Sequence, residues 1–376
     1  SPLQGCWQSK RKDHPAQTTE TGGAASDPVS SPPQQQSSAI GSGGVGSAGA
    51  STAAAAAPPP EKKRPDPKDY MFSNLKGETQ VKPPKSIDGQ MFIIEDSEDC
   101  DLYVCDRSGQ VTVDVCKRCR IFIGPCESSV FIRNCDDCVF VVACQQFRTR
   151  ECNNCDILLY TNSDPVVEES KNMRFGCFRF NYFELPGQFQ GAGLNVWDNK
   201  WSAIYDFTPK DGNWSFLPPD TTALSLLKKP FAEVAPFVTA AEQAQLQEDG
   251  CVPSTWGKRP RPAPESVLFL APAGKEQVAQ EFLSKLNAHA GIKVLQTMMI
   301  KMSTDRSSQL LKQSGSKFLG DCVGMEVCGP DVATIVKPLA TECDADCHVS
   351  ENPAAAEHEV RMFFETWKES AGASLH

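Results

Sequence analysis

The segment from Phe92 to Tyr160 repeats itself. Aligned on a cysteine, it reads Cys100-Asp-Leu-Tyr-Val, Cys119-Arg-Ile-Phe-Ile, Cys138-Val-Phe-Val-Val and Cys155-Asp-Ile-Leu-Leu, at steps of 19, 19 and 17 residues. Self-similarity at such a short period marks a solenoid, in which each unit buries its apolar face against the next. Within a unit, apolar and polar residues alternate in a first strand, as in Val111-Thr-Val-Asp-Val or Val130-Phe-Ile-Arg-Asn. A Cys-x-x-Cys corner follows, and then a second apolar strand. Period-two strands joined by tight corners predict one coil of a β-helix per unit, and helical periodicity is absent here.

The corners admit two readings. Cys116/Cys119, Cys135/Cys138 and Cys152/Cys155 have the spacing of zinc knuckles, which makes metal ligation one of them. The repeat favours the other, because equivalent positions of successive coils stack, and a column of small, weakly polar side chains suits a solenoid interior. No metal site is therefore expected, and Asp136-Asp137 and Asn153-Asn154 are read as turn formers. The chain has 17 cysteines and no secretory apolar segment near its start. Free thiols in a reducing cytosol follow as the expectation.

The flanks differ in kind. Residues 1–65 are dominated by Ser, Gly, Ala, Pro and Gln, too poor in large apolar groups to offset their ordering entropy, and read as a flexible tether. After Lys171 comes an aromatic-rich stretch, with Trp197, Trp201 and Trp214 in Gly-, Asn- and Pro-rich surroundings, suited to capping the last coil near Asp220. A polar, Pro-rich connector spans 221–264. Beyond it strands near 267–270, 292–297 and 323–327 alternate with helices near 276–288, 304–314, 332–343 and 357–369, which predicts a small α/β domain over 265–376. A formal net charge of −10 and a pI near 5.1 argue against nucleic acid as a partner. No apolar run reaches the length of about 18 residues that a membrane-spanning helix needs.

One stretch breaks the coil pattern with a polar cluster, Cys144-Gln-Gln-Phe-Arg-Thr-Arg, where a neighbouring coil has Gly124-Pro-Cys-Glu-Ser-Ser. A rigid ladder carrying two amides and two guanidinium groups is a place to present side chains outward, and a solvated turn is the plainer reading. The run Ala143-Cys-Gln-Gln-Phe-Arg-x-Arg, together with Ile132-Arg-Asn-Cys-x-Asp-Cys, Asp206-Phe-Thr-Pro and Asn213-Trp-Ser, resembles the tubulin-folding cofactor C family over about Asp66 to Asp220. Asp66-Pro-Lys-Asp-Tyr-Met-Phe-Ser and Phe175-Gly-Cys-Phe resemble the two-domain branch of that family, in which a nucleoside-diphosphate-kinase-like domain follows.

That resemblance implies a mainly β plus α/β chain: a right-handed parallel β-helix, then a small ferredoxin-like α/β domain. It also implies a GTPase-activating protein for an Arf-like small GTPase in its GTP state. Arg148 would be the arginine finger, Gln145 a second residue near the nucleotide, and Glu168 and Phe207 residues that face the partner. Gln145 stands three residues before Arg148, so the two converge only if the chain bends between them, and Arg150 reads as a surface arginine. GTP and magnesium would be carried by the partner, the chain needing no cofactor of its own. Tubulin is a further partner the family implies, and a non-catalytic tubulin- or GTPase-binding scaffold is the alternative function.

In the α/β region His289, His348, His358 and His376 all lack the Asn-x-x-His-Gly-Ser-Asp setting of a phosphate-accepting histidine, so no kinase activity is expected. Gly5-Cys-Trp-Gln-Ser-Lys-Arg-Lys resembles a dual acylation signal, with Gly5 and Cys6 as lipidation sites beside a basic cluster, although Ser1-Pro-Leu-Gln precedes the glycine. The resemblance thus places the chain at the cytoplasmic face of the plasma membrane, in the cilium or at the basal body, in trafficking of lipidated proteins to the cilium.

Overall fold

A computed structural model describes residues 66–227, 250–311 and 316–365; the expected tether, with Gly5 and Cys6, lies outside them. Two parallel ladders build the first domain. One stacks β1 (Met71–Ser73), β3 (Phe92–Glu95), β5 (Val111–Asp114), the second half of β6 (Arg120–Arg133), the second half of β7 (Val139–Arg150), β9 (Val166–Glu168) and β11 (Tyr205–Asp206). The other stacks β2 (Thr79–Lys82), β4 (Asp101–Val104), the first halves of β6 and β7, β8 (Asn153–Thr161), β10 (Lys171–Cys177) and β12 (Trp214–Phe216). All these pairings are parallel, so the domain is the expected β-helix, and it begins one coil before the cysteine repeat.

The two ladders read differently in sequence because only one of them is covered. Outward side chains of the second, including Tyr103, Phe122, Val141, Leu158 and Tyr160, are buried under Phe178, Phe180, Tyr182, Leu185 and Phe189 from the segment that follows the coils. Strands buried on both faces need continuous apolar runs, as in Val139-Phe-Val-Val-Ala. The first ladder buries one face only, and its strands alternate, as in Val111-Thr-Val-Asp.

Cysteines line the interior. Cys100, Cys119, Cys138 and Cys155 form one column and Cys116, Cys135 and Cys152 another, all within the core. Each thiol finds a backbone carbonyl of its own coil, and Cys119, Cys138, Cys152 and Cys155 also reach one of the previous coil: Cys138 Sγ donates to Asp136 O at 3.2 Å and to Cys116 O at 3.4 Å. All cysteines among the described residues are free. The residue before each stacked cysteine adopts positive φ, as at Asn134, Asp137 and Asn154, which carries the turn that these short side chains tolerate best. Val115 occupies one such corner at φ 53° with a β-branched side chain, an unfavourable choice by about 1 kcal/mol.

In the second domain β13 (Ser266–Leu270), β14 (Lys293–Met302), β15 (Gly320–Cys328) and β16 (His348–Val349) form an antiparallel sheet in the order β14-β15-β13-β16. Alternate residues of β13 point to opposite faces. Val267 and Phe269 pack with Phe282 and Val336, from helices over Glu276–Leu286 and Val332–Cys343. Leu268 and Leu270 pack with Leu310 and Phe363, from helices over Thr304–Leu311 and Pro353–Phe364. Helices thus cover both faces of the sheet.

The stretch expected to be a connector is not loose where it is described. Ala223–Leu227 is helical, and Thr255 accepts a hydrogen bond from Trp201 Nε1 at 2.9 Å. Arg259 lies over Trp201 at 4.7 Å and Phe216 at 5.2 Å. The free edge of β14 is occupied by the first domain and this stretch. Trp256 N donates to Val294 O at 2.7 Å, Thr297 Oγ1 to Trp197 O at 2.7 Å, and Met299 N to Asp198 Oδ1 at 2.9 Å. Burial pushes the Asp198 carboxyl up to about 6, against the opposing effect of the Met299 N–H.

Three outcomes are expected from unfolding measurements. Val115→Asn relieves the strained corner and raises stability by about 1 kcal/mol in denaturant titration. Chelators leave the thermal transition unchanged if the cysteine columns are packing, whereas a knuckle would unfold on metal removal. Asp198 is protonated more readily folded than unfolded, so its penalty is absent at low pH, grows as pH rises from about 4 through about 6, and persists above. Asp198→Asn keeps the acceptor for Met299 N, and is expected to stabilise the protein at pH 7 by about 1–2 kcal/mol while leaving it unchanged near pH 3.

Candidate functional site

The open face of the first ladder is built by register. Arg148 pairs with Phe131 on one side and Val166 on the other, and Val166 pairs with Tyr205. Rungs stack about 4.8 Å apart, so these four side chains form a row with Arg148 between two apolar neighbours. Two residues along each strand lies a second row on the same face: Arg133, Arg150, Glu168 and Phe207, the last placed by its N–H donating to Val167 O at 2.8 Å. The structure therefore brings Arg148, Glu168 and Phe207 onto one surface.

The Asp206-Phe-Thr-Pro turn is held by its own polar groups. Asp206 accepts from Thr208 N at 3.1 Å and from Asn213 Nδ2 at 3.0 Å, and Thr208 Oγ1 accepts from Glu169 N at 2.8 Å. These bonds tie the turn to the last coil and leave the Phe207 ring in solvent. Tyr205 and Phe207 are 56% and 60% exposed and meet edge to face at 6.3 Å, an aromatic pair on the surface rather than in the core.

Arg148 is exposed and makes no hydrogen bond or ion pair with any described residue. Its neighbours on the coils behave otherwise. Arg133 pairs with Asp114 at 2.6 Å, Arg120 with Asp101, and Arg174 with Asp156. Arg150, at the strand end, reaches Glu151 at 3.7 Å and Glu169 at 4.0 Å. A guanidinium held on a rigid sheet without an internal carboxylate keeps its five donors for an external acceptor.

The two amides before it part company. Gln146 to Arg150 is regular strand, in which Gln146, Arg148 and Arg150 are exposed and Phe147 and Thr149 buried. Gln146 thus shares the face of Arg148, and its Oε1 accepts from Ser129 Oγ at 3.1 Å. Gln145 sits at the corner where the β6–β7 register breaks, with its backbone carbonyl fastened by Ser163 N and Thr161 Oγ1, both at 3.1 Å. Its side chain is exposed at that corner. Beneath them, burial pushes the Cys144 thiol far above its ordinary range, so it stays protonated and structural.

Tyr205 and Gln146 are not among the site residues expected from sequence. The signal for Gln146 was the period-two alternation through Phe147, which fixes the parity of the strand; Tyr205 lies outside the cysteine repeat and carried no such signal.

Comparison with known proteins fits this surface into a family. A family model described as "Tubulin binding cofactor C" matches residues 89–207, which includes every residue of the two rows. Protein XRP2 of Xenopus laevis is 35% identical over 310 residues, 80% of this chain and 87% of that protein. Tubulin-specific chaperone C of Mus musculus is 28% identical over 152 residues, 39% of this chain and 45% of that protein. A solved structure, "Tubulin Binding Cofactor C from Leishmania major", shares 25% identity and covers 32% of this chain and 85% of its own, with a TM-score of 0.29. The breadth of the match to Protein XRP2, across both domains, means that the chain belongs to the XRP2 family and carries a cofactor C-like β-helix.

Proposed function

We propose that the chain is a GTPase-activating protein for an Arf-like small GTPase, with Arg148 as the arginine finger. One observation carries this reading: Arg148 stands exposed and unpaired in the middle of a rigid strand row while Arg120, Arg133 and Arg174 are locked to carboxylates. As the bond to a γ-phosphoryl group loosens, negative charge gathers on its oxygens, and a fixed guanidinium offers them two parallel donors. A rigid ladder suits that task because the donors are aimed beforehand. GTP and its magnesium ion are carried by the partner. Phe131, Val166, Tyr205 and Phe207 surround the cation with apolar surface that excludes water on docking, and Glu168 stands ready for a cationic group of the partner.

The wider setting belongs to the same proposal. Acylation at Gly5 and Cys6, beside Lys10, Arg11 and Lys12, would hold the chain at the cytoplasmic face of a membrane, in the cilium or at the basal body, where it would act in trafficking of lipidated proteins. Tubulin is a second partner for the same face, by analogy with the chaperone relative. The exposed Tyr205–Phe207 pair also suits a scaffold that binds without accelerating hydrolysis.

Single-turnover hydrolysis by GTP-loaded Arf-like GTPases separates these functions. Arg148→Ala and Arg148→Lys are each expected to lower the stimulated rate by about 10³-fold or more, since an ammonium cannot reproduce the planar fork, while binding persists. Unchanged stimulation in both variants leaves the scaffold reading.

A further inference from the structure

We propose that Thr208 is a phosphorylation site for a proline-directed protein kinase, and that phosphate there releases the turn that holds Phe207 and so weakens docking on the open face. The effect on docking rests on the reading of that face as a GTPase-binding surface; the modification itself does not. Among the described residues Thr208-Pro209 is the single Ser/Thr-Pro step. Proline after the acceptor has no N–H, and a kinase pocket that asks for no donor at that position selects it. The step lies on a surface turn, with Phe207 and residues 209–212 exposed and Thr208 half-buried. Thr208 Oγ1 accepts from Glu169 N at 2.8 Å, so its own hydrogen and a second lone pair are uncommitted. The atom a kinase would modify is thus the one that ties the turn to the last coil.

In the transfer the Thr208 Oγ–P bond forms as the bond from the γ-phosphorus of ATP to its bridging oxygen breaks. The hydroxyl proton passes to the kinase's general base, and ADP leaves. A neutral hydroxyl becomes an ester carrying about −1.5 to −2 charges. Its surroundings are acidic. Glu168 and Glu169 stand on the adjacent rung, and the Asp206 carboxylate accepts from Thr208 N at 3.1 Å. Against these are Lys210 and Arg150, the latter already shared between Glu151 and Glu169. Three carboxylates crowd the new dianion, and repulsion drives the turn away from Glu169 N. Phe207, next in the chain, leaves its row with it.

The test uses the full chain, ATP and a proline-directed kinase shown active on a standard substrate, with the phosphate located by mass spectrometry. Thr208 is expected to be modified in the folded protein, Thr208→Ser likewise, and Thr208→Val to lose that phosphate. Amide exchange over 166–170 reports the turn without any partner, and phosphorylation is expected to speed exchange at Glu169 about tenfold. In single-turnover hydrolysis by a GTP-loaded Arf-like GTPase, the phosphorylated chain is expected to need about tenfold more protein for half-saturation and to keep its maximal rate. Phosphate absent from Thr208 overturns the site. Phosphate on Thr208 with parental exchange over 166–170, or with parental half-saturation, overturns the switch. If the unmodified parent stimulates no GTPase, the reading of Arg148 falls, and exchange at Glu169 still decides whether phosphate opens the turn.

Discussion

Rung-to-rung hydrogen bonding between parallel strands is the constraint on which the rest of the structure hangs. Parallel stacking puts equivalent residues of successive coils directly above one another, so whatever stands at one position is repeated as a column. Inside, that makes columns of thiols whose donors are absorbed by carbonyls of the same and the preceding coil. At the corners it makes columns of left-handed residues, filled by Asn and Asp in most coils and by Val115 in one. Outside, it makes rows of surface residues at fixed spacing, which is how a short polar insertion in a repeat becomes a flat, aimed array.

Much of this was legible because the repeat is strict. The cysteine period gave the coil length; that one ladder is covered and the other open emerges only in the structure, where the continuous apolar strands lie under the aromatic segment and the alternating ones face solvent. The first coil escaped notice for a physical reason: Leu75 and Glu78 stand where later coils have cysteines, and Leu75 packs against the core as they do. The stretch after Asp220 looked like a connector because it is polar and rich in proline. Packing there comes instead from the flat faces of Trp201, Trp256 and Arg259, and no periodicity announces such stacking.

The surface around Arg148 was legible in part. Arg148, Glu168 and Phe207 came from the resemblance to a family, and the register places all three on one face. Residue spacing alone resolved Arg150, whose guanidinium is drawn to Glu151 and Glu169 at the strand end. What spacing did not reveal was which guanidinium lacks a carboxylate, since most carboxylate partners of the coil arginines lie about 19 residues earlier or later, as Asp114 does for Arg133. In a solenoid the charge that neutralises a side chain belongs to the adjacent coil, and pairing has to be read across the period rather than along the chain.

The sealing of β14 carries a consequence of another kind. An unpaired strand rim is a template to which any extended chain can add, including another copy of the same protein emerging from synthesis. Here Asp198 and the main chain at Trp256 and Gly257 fill that rim from within the molecule. The occupied edge shields a sheet with an apolar composition from growing sideways, so the safeguard against runaway association lies in the same few hydrogen bonds that fasten one domain to the other.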